Sequence, residues 1–241
     1  MKQIIKKFIY ILLKLYESTI GKVLYFSAKK YASFHTKLMH YSDWYFSGSE
    51  PSSYKHEINL YNWIYDPSQV EFVEGGVFGR MLIEKEAVVL DLCCGDGSYD
   101  YLFFSDVAKH IDAIDYDKTS IDYAKKRYQK ENIAFICHDL LTYEFEDNHY
   151  DVVIWRAGVA YFTKEQREVL FKNIFKTLKK GGKFYIGTPL MEKENFSANQ
   201  VEVIVDEKLF EDEFSSTFNL LFQQKTFYEN RVNINYILEK R

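Results

Sequence analysis

One stretch constrains this chain more than any other: Ala87-Val88-Val89-Leu90-Asp91-Leu92 running into Cys93-Cys94-Gly95-Asp96-Gly97. A short apolar run bounded by a glycine loop reads as a buried strand feeding a tight turn. The alternation then continues. Tyr99 to Val107 reads as a helix, His110 to Asp115 as a strand, Thr119 to Lys130 as a helix, and Ile133 to Cys137 as a strand. Tyr150 to Trp155 follows as another strand, and Lys164 to Lys179 as an amphipathic helix closed by Gly181-Gly182 as its C-cap. Lys183 to Gly187 is the next strand. Buried strands separated by helices imply βαβ units and a mostly parallel sheet. After Pro189 the rhythm changes. Val201 to Val205 alternates, Leu209 to Ser216 reads as helical, and Phe218–Phe227 with Val232–Leu238 reads as an antiparallel hairpin added to the sheet.

The first third differs. Residues 1–80 read as helical and irregular and are aromatic-rich, with breaks at Asp43–Pro51 and Asp66-Pro67-Ser68, and a short helix predicted from His56 to Tyr65. The expected organisation is a helical cap over 1–80 and an α/β domain over 81–241. Charge divides in the same sense: residues 1–40 hold eight lysines against Glu17, a net +7, so the other 201 residues sum to −11. An acidic body disfavours duplex binding, which depends on neutralising phosphates. The opening run Phe8–Leu13 is too short for a membrane span or a secretory leader. It reads as an amphipathic helix within residues 1–20, carrying Ile4, Ile5, Phe8, Ile11, Leu12 and Leu15 on one side, suited to self-association or to peripheral membrane contact. Cys93, Cys94 and Cys137 give no disulfide framework and no zinc-ligand spacing, so a reducing, cytoplasmic setting and no metal are expected.

In an open α/β sheet, ligands sit beyond the carboxyl ends of the strands. There the Asp91–Gly97 loop supplies glycines that let the backbone approach a ligand, followed by the free N–H groups of a helix start. Asp115 ends the second strand, 24 residues after Asp91, where a carboxylate can accept hydrogen bonds from both hydroxyls of a ribose. Asp139 follows the third strand, placed to receive an adenine amino proton.

These residues resemble the class I S-adenosylmethionine-dependent methyltransferase family. The motifs are Asp91-x-Cys93-x-Gly95-x-Gly97, Ala113-Ile114-Asp115-Tyr116-Asp117, His138-Asp139-Leu140, Tyr150–Trp155 and Leu178–Phe184, in order over about residues 86–190. Cys93 stands where the family usually has glycine. The resemblance implies a Rossmann-like, doubly wound, mostly parallel seven-stranded sheet with a C-terminal antiparallel hairpin. It implies S-adenosylmethionine as cofactor and S-adenosylhomocysteine as product. Gly95 and the neighbouring backbone of Cys93 and Gly97 would cradle the methionine end, and Asp91 would orient the loop or the methionine amino group. Asp115 would hold the ribose, with Tyr116 at the same cofactor-binding strand end, and Asp139 and Leu140 would flank adenine. A nicotinamide-binding domain is the competing reading, but it needs G-x-G-x-x-G where this chain has Cys93-Cys94-Gly95-Asp96-Gly97-Ser98.

The acceptor side is less marked. The family's segment after the fourth strand commonly carries a histidine pair; here it reads Trp155-Arg156-Ala157-Gly158-Val159-Ala160-Tyr161. Tyr161, Arg156, His35 and His40 are the substitute candidates. Tyr161 has a core or lid tyrosine as its alternative, and Arg156 a surface ion pair. His35 and His40, five residues apart, would not share a helix face for a metal, which leaves His40 as a base from the cap. Gly75-Gly76-Val77-Phe78-Gly79-Arg80 reads either as a close-approach loop bringing Arg80 to the cofactor carboxylate or as a hinge. The expected activity is methyl transfer, with oxygen the favoured acceptor atom, to a small molecule or a sugar or nucleotide-sugar precursor of surface polysaccharide. A non-catalytic adenosyl-binding scaffold docking a partner or membrane, and an RNA methyltransferase, stand as alternatives.

Overall fold

The computed structural model describes residues 67–190, 201–227 and 232–241, together with Thr19, Val23, Ser27 and Lys30. The helices predicted within 1–20 and at 56–65, and His35 and His40, lie outside the described residues. The chain divides into two compact units, 1–70 and 71–241, and the second holds the whole sheet.

Seven strands form that sheet: β1 (Val88–Leu92), β2 (His110–Asp115), β3 (Ile133–Cys137), β4 (Tyr150–Arg156), β5 (Leu178–Leu190), β6 (Phe218–Phe227) and β7 (Val232–Lys240). Their order is β3-β2-β1-β4-β5-β7-β6, with β1 to β5 parallel and β7 antiparallel to both β5 and β6. The mostly parallel sheet and its closing hairpin are therefore as the sequence implies. The order reverses between β1 and β4, which opens a crevice beyond their carboxyl ends.

Among the described residues, four α-helices flank the sheet: α1 (Pro67–Leu82), α2 (Lys118–Arg127), α3 (Lys164–Thr177) and α4 (Glu207–Phe214). Local chemistry sets their starts. Pro67 suits a first helical position, where its missing N–H costs nothing. The Asp117 carboxylate accepts from the Thr119 and Ser120 N–H groups at the start of α2, and Thr163 with Gln166 forms a capping box on α3. Leu170, Phe171 and Ile174 of α3 and Phe210 and Phe214 of α4 then cover one sheet face. They pack on Leu92, Val153, Trp155, Phe184 and Tyr236.

On the opposite face the glycine-rich segment is helix α1, neither loop nor hinge. A Cβ on Gly76 would stand 2.5 Å from Phe103, and one on Gly79 would stand 2.8 Å from Phe104, so these glycines let the helix axis approach two aromatic rings. Phe78 of the same helix stacks on Tyr185.

Two further expectations are corrected. The helix predicted over Tyr99–Val107 is present but shorter: residues 98–104 are helical, and Asp100–Phe104 is wound as a π-helix closed by Ser105 N–H donating to Asp100 O. Gly181-Gly182 does not cap α3, which ends at Thr177. Strand β5 starts at Leu178, and its register shifts between Leu178, opposite Tyr150, and Lys183, opposite Val152. The intervening residues, with Gly181 at φ +73°, form an irregularity that glycine tolerates.

Candidate active site

The loop after β1 is held from below by Asp115. Its Oδ2 accepts from the Gly95 N–H at 2.9 Å and its Oδ1 from the Asp117 N–H at 2.9 Å. One carboxylate thus ties the glycine loop to the end of β2 and keeps lone pairs toward the crevice. Gly95 (φ +58°) and Gly97 (φ +73°) occupy the left-handed region, and a Cβ on Gly95 would meet nothing within 4 Å. The loop therefore presents bare backbone to open space. Asp96, which the sequence sets between the two glycines, is buried and accepts from the Ser98 N–H, capping the turn that follows.

Cys93 also has a positive φ, +58°. That conformation costs a non-glycine residue on the order of 1 kcal/mol. Its side chain lodges beneath Gly158, where an added Cβ would fall 2.5 Å from the Cys93 sulfur and 2.8 Å from Trp155 Nε1. The missing side chain at Gly158 makes the room that cysteine needs. Burial pushes the Cys93 thiol well up, so it is not a thiolate nucleophile.

Behind the loop lies a buried acid pair. Asp91 is 5% exposed and faces Asp100, which is fully buried with no donor on either carboxylate oxygen among the described residues. Burial raises Asp91 to about 7, opposed by the nearby Arg156 guanidinium and the Asp100 contact. Burial, and then the Asp91 charge, raise Asp100 as well. Two carboxylates in contact without donors are best held by a shared proton.

The sign of the stability effect follows from linkage. The folded pair keeps a proton that the unfolded chain has released above the ordinary carboxylate value of 3.8. Stability is therefore present at low pH and falls as pH rises from about 4 through about 7. The expected loss between pH 5 and 8 is on the order of 2 kcal/mol. Asp100→Asn, which gives Asp91 an N–H to accept, should flatten the trend. Calorimetric melting at the two pH values measures it, and parallel slopes for the variant and its parent would remove the pair as the cause.

The remaining candidates are placed as follows. The Arg156 guanidinium stacks 3.5 Å from the centre of the Tyr99 ring and lies next to Asp91. Tyr161, on the 3-10 turn Val159–Tyr161 beyond β4, is 44% exposed. Tyr116 is largely exposed beside Asp115. Asp139 is exposed, and its Oδ1 caps its own turn by accepting from the Leu141 N–H. Leu140 does not line the crevice with its side chain, which is buried in the core cluster. Arg80 is likewise corrected. It lies on α1 and pairs with Asp106 at 3.7 Å, ahead of the start of β2, so it sits toward the amino ends of the strands. Among the described residues no three metal-ligating side chains come together.

The unpartnered buried Ser98 Oγ, a bare glycine loop and a strand-end carboxylate with spare lone pairs fit a ligand that carries polar groups and a sugar diol.

Residues 89–182 match a family model described as a methyltransferase domain. The chain is 30% identical over 116 residues to phosphoethanolamine N-methyltransferase 1 of Triticum aestivum, an alignment covering 46% of this chain and 23% of that protein. It is 25% identical over 159 residues to the phosphoethanolamine N-methyltransferase of Plasmodium falciparum, covering 63% of this chain and 59% of that one. The chain thus spans between a quarter and three-fifths of the length of these relatives. Among solved structures, the N-methyltransferase NodS from Bradyrhizobium japonicum in complex with S-adenosyl-l-homocysteine superposes with a TM-score of 0.61 at 15% identity, covering 76% of this chain and 93% of that one. The strand order, the loop geometry and the matched segment agree: residues 89–182 form a methyltransferase domain with the class I fold, and S-adenosylmethionine is the cofactor that this domain takes.

Proposed function

We propose that the protein is a cytoplasmic methyltransferase acting on a small polar molecule, with a sugar or nucleotide-sugar precursor as the favoured acceptor. The observation that carries the catalytic reading is the Gly95 N–H to Asp115 bond, which joins the bare loop and the ribose-side carboxylate into one seat at the β1/β4 crevice. The acidic body of the chain, −11 over residues 41–241, supports a small acceptor over RNA.

When bound, the cofactor supplies an already activated methyl group on a cationic sulfur. The protein's task is therefore alignment and exclusion of water rather than covalent catalysis. In this reading Asp115 accepts from the ribose hydroxyls and Asp139 receives an adenine amino proton. The Cys93–Gly97 backbone approaches the methionine end, and the Asp91–Asp100 pair sets a negative field behind it. Arg156, between Asp91 and the acceptor side, orients the acceptor, and Tyr161 offers a hydroxyl at the exit of β4. The 3-10 turn carries no imidazole, so a hydroxyl acceptor would need its base from elsewhere, His40 being the candidate from the first third of the chain.

A second reading, N-methylation of a phosphorylated ethanolamine-like amine, is favoured by the named activity of the first curated relatives. The test is release of S-adenosylhomocysteine from S-adenosylmethionine with a panel holding glycosides, nucleotide sugars and phosphoethanolamine. Turnover with the hydroxylated compounds is expected. Turnover confined to phosphoethanolamine selects the second reading. No turnover, together with no thermal shift by S-adenosylhomocysteine, rejects both.

A further inference from the structure

On the α1 face of the sheet, at the carboxyl end of β4 and alongside the last residues of β5 and the start of β7, a small cleft is lined by Glu74, Arg156, Tyr185, Pro189, Asn233 and Asn235. It holds about 10 Å³, the room of one water-sized group. Asn233 and Asn235 are two residues apart on β7, so both side chains leave the same face. Strand β7 lies between β5 and β6, and both amides are more than nine-tenths buried. Asn235 Oδ1 accepts from the Tyr185 hydroxyl at 2.7 Å, which fixes the amide with its Nδ2 turned the other way. That Nδ2 has no partner among the described residues, and neither does Asn233 Oδ1. A buried donor and a buried acceptor left unmade each cost free energy that something must offset.

The unmet pair has a definite chemical complement. An ammonium donates only, and a carboxylate or phosphate accepts only; either would leave one of the two amide atoms unsatisfied. A hydroxyl does both: its O–H donates to Asn233 Oδ1 while its oxygen accepts from Asn235 Nδ2. The surroundings keep the cleft near neutral, because Arg156 and Glu74 both line it and Glu74 accepts from the Thr226 hydroxyl. The Arg156 charge also acts on Asp91 at the start of the cofactor loop, which links this cleft to that loop electrostatically. A Cβ on Gly187 would fall 2.6 Å from the Tyr185 hydroxyl, so glycine there leaves room for the Tyr185–Asn235 bond.

We infer that Asn233 and Asn235 form a hydroxyl-recognition subsite for the acceptor, seating a neutral alcohol or sugar hydroxyl that is held rather than methylated. This rests on the methyltransferase reading above and narrows it to acceptors bearing more than one hydroxyl, or a hydroxyl beside the reacting atom.

The test uses the full chain saturated with S-adenosylhomocysteine. Saturation-transfer NMR is run with glycerol and methyl glucoside as probes, and with cyclohexylamine and cyclohexanecarboxylate as charged controls. The neutral probes should bind and the charged ones should not, and Asn233→Leu and Asn235→Leu should each weaken the neutral probes about tenfold. The S-adenosylhomocysteine affinity should hold. Asn235→Leu also strips Tyr185 of its acceptor; if that variant does not fold, Asn233→Leu decides alone. If S-adenosylhomocysteine binds but the neutral probes do not, or both variants bind them as the parent does, the two amides hold only a resident water and the inference is overturned. Failure of the parent to bind S-adenosylhomocysteine would instead overturn the methyltransferase reading, and this subsite with it.

Discussion

Replacing Asp115 with alanine is expected to lower the affinity for S-adenosylhomocysteine about 100-fold or more. Hydrogen bonds to an ionised carboxylate contribute about 1.5 to 3 kcal/mol each, and a ribose diol makes two. The same substitution releases the Gly95 N–H, so the loop loses its tie to β2 as the ribose loses its acceptor. Asp115→Asn separates these effects: it keeps one oxygen to accept and should cost about tenfold. Folding should survive in both, because burial already makes the carboxyl costly to ionise there and raises it from its usual range. Isothermal titration calorimetry measures the affinity, with a melting curve as the control. An alanine variant within threefold of its parent would remove Asp115 from the cofactor site.

Much of this site was legible because parallel strands announce themselves. The runs at His110–Asp115, Ile133–Cys137 and Phe218–Phe227 are apolar or alternating and bounded by turn residues, and the observed strands share those bounds. Glycine was where the reading failed. Gly75, Gly76 and Gly79 look like chain breakers in one dimension, yet Gly76 and Gly79 serve the approach of α1 to Phe103 and Phe104 and Gly75 its approach to Arg156, all more than 20 residues further along the chain. Arg80 was misplaced by the same error, since a loop could have carried it to the crevice and a helix carries it to Asp106. The asparagines of β7 were missed for a related reason. Val232-Asn233-Ile234-Asn235-Tyr236 alternates like a strand with one face in water, and only the insertion of β7 between β5 and β6 under α1 buries the polar face. Pairing order is a nonlocal fact, so a local pattern does not carry it.

Arg167→Ala should be the most destabilising single change on the other face of the sheet, by about 3 to 5 kcal/mol. The side chain is 1% exposed and sits on the apolar stripe of α3, in helical register with Leu170, Phe171 and Ile174. Its guanidinium grips Glu213 of α4 through Nε at 2.8 Å and Nη2 at 2.7 Å, and Nη1 donates to Phe162 O at 2.8 Å. Truncation leaves the Glu213 carboxylate, 4% exposed, buried without its cation. The cost lies in that orphaned charge rather than in the lost attraction, so the double variant Arg167→Met/Glu213→Leu should recover most of the stability. The consequence reaches the active site. Phe162 follows the Val159–Tyr161 turn, and Ala160 O of that turn accepts from the Val201 and Glu202 N–H groups, so loosening α3 from α4 frees the turn beyond β4 that carries Tyr161, the proposed acceptor-side residue. Urea denaturation of the single and double variants tests this. Equal losses in the two would mean that α3–α4 packing, and not the buried pair, sets the stability of that face.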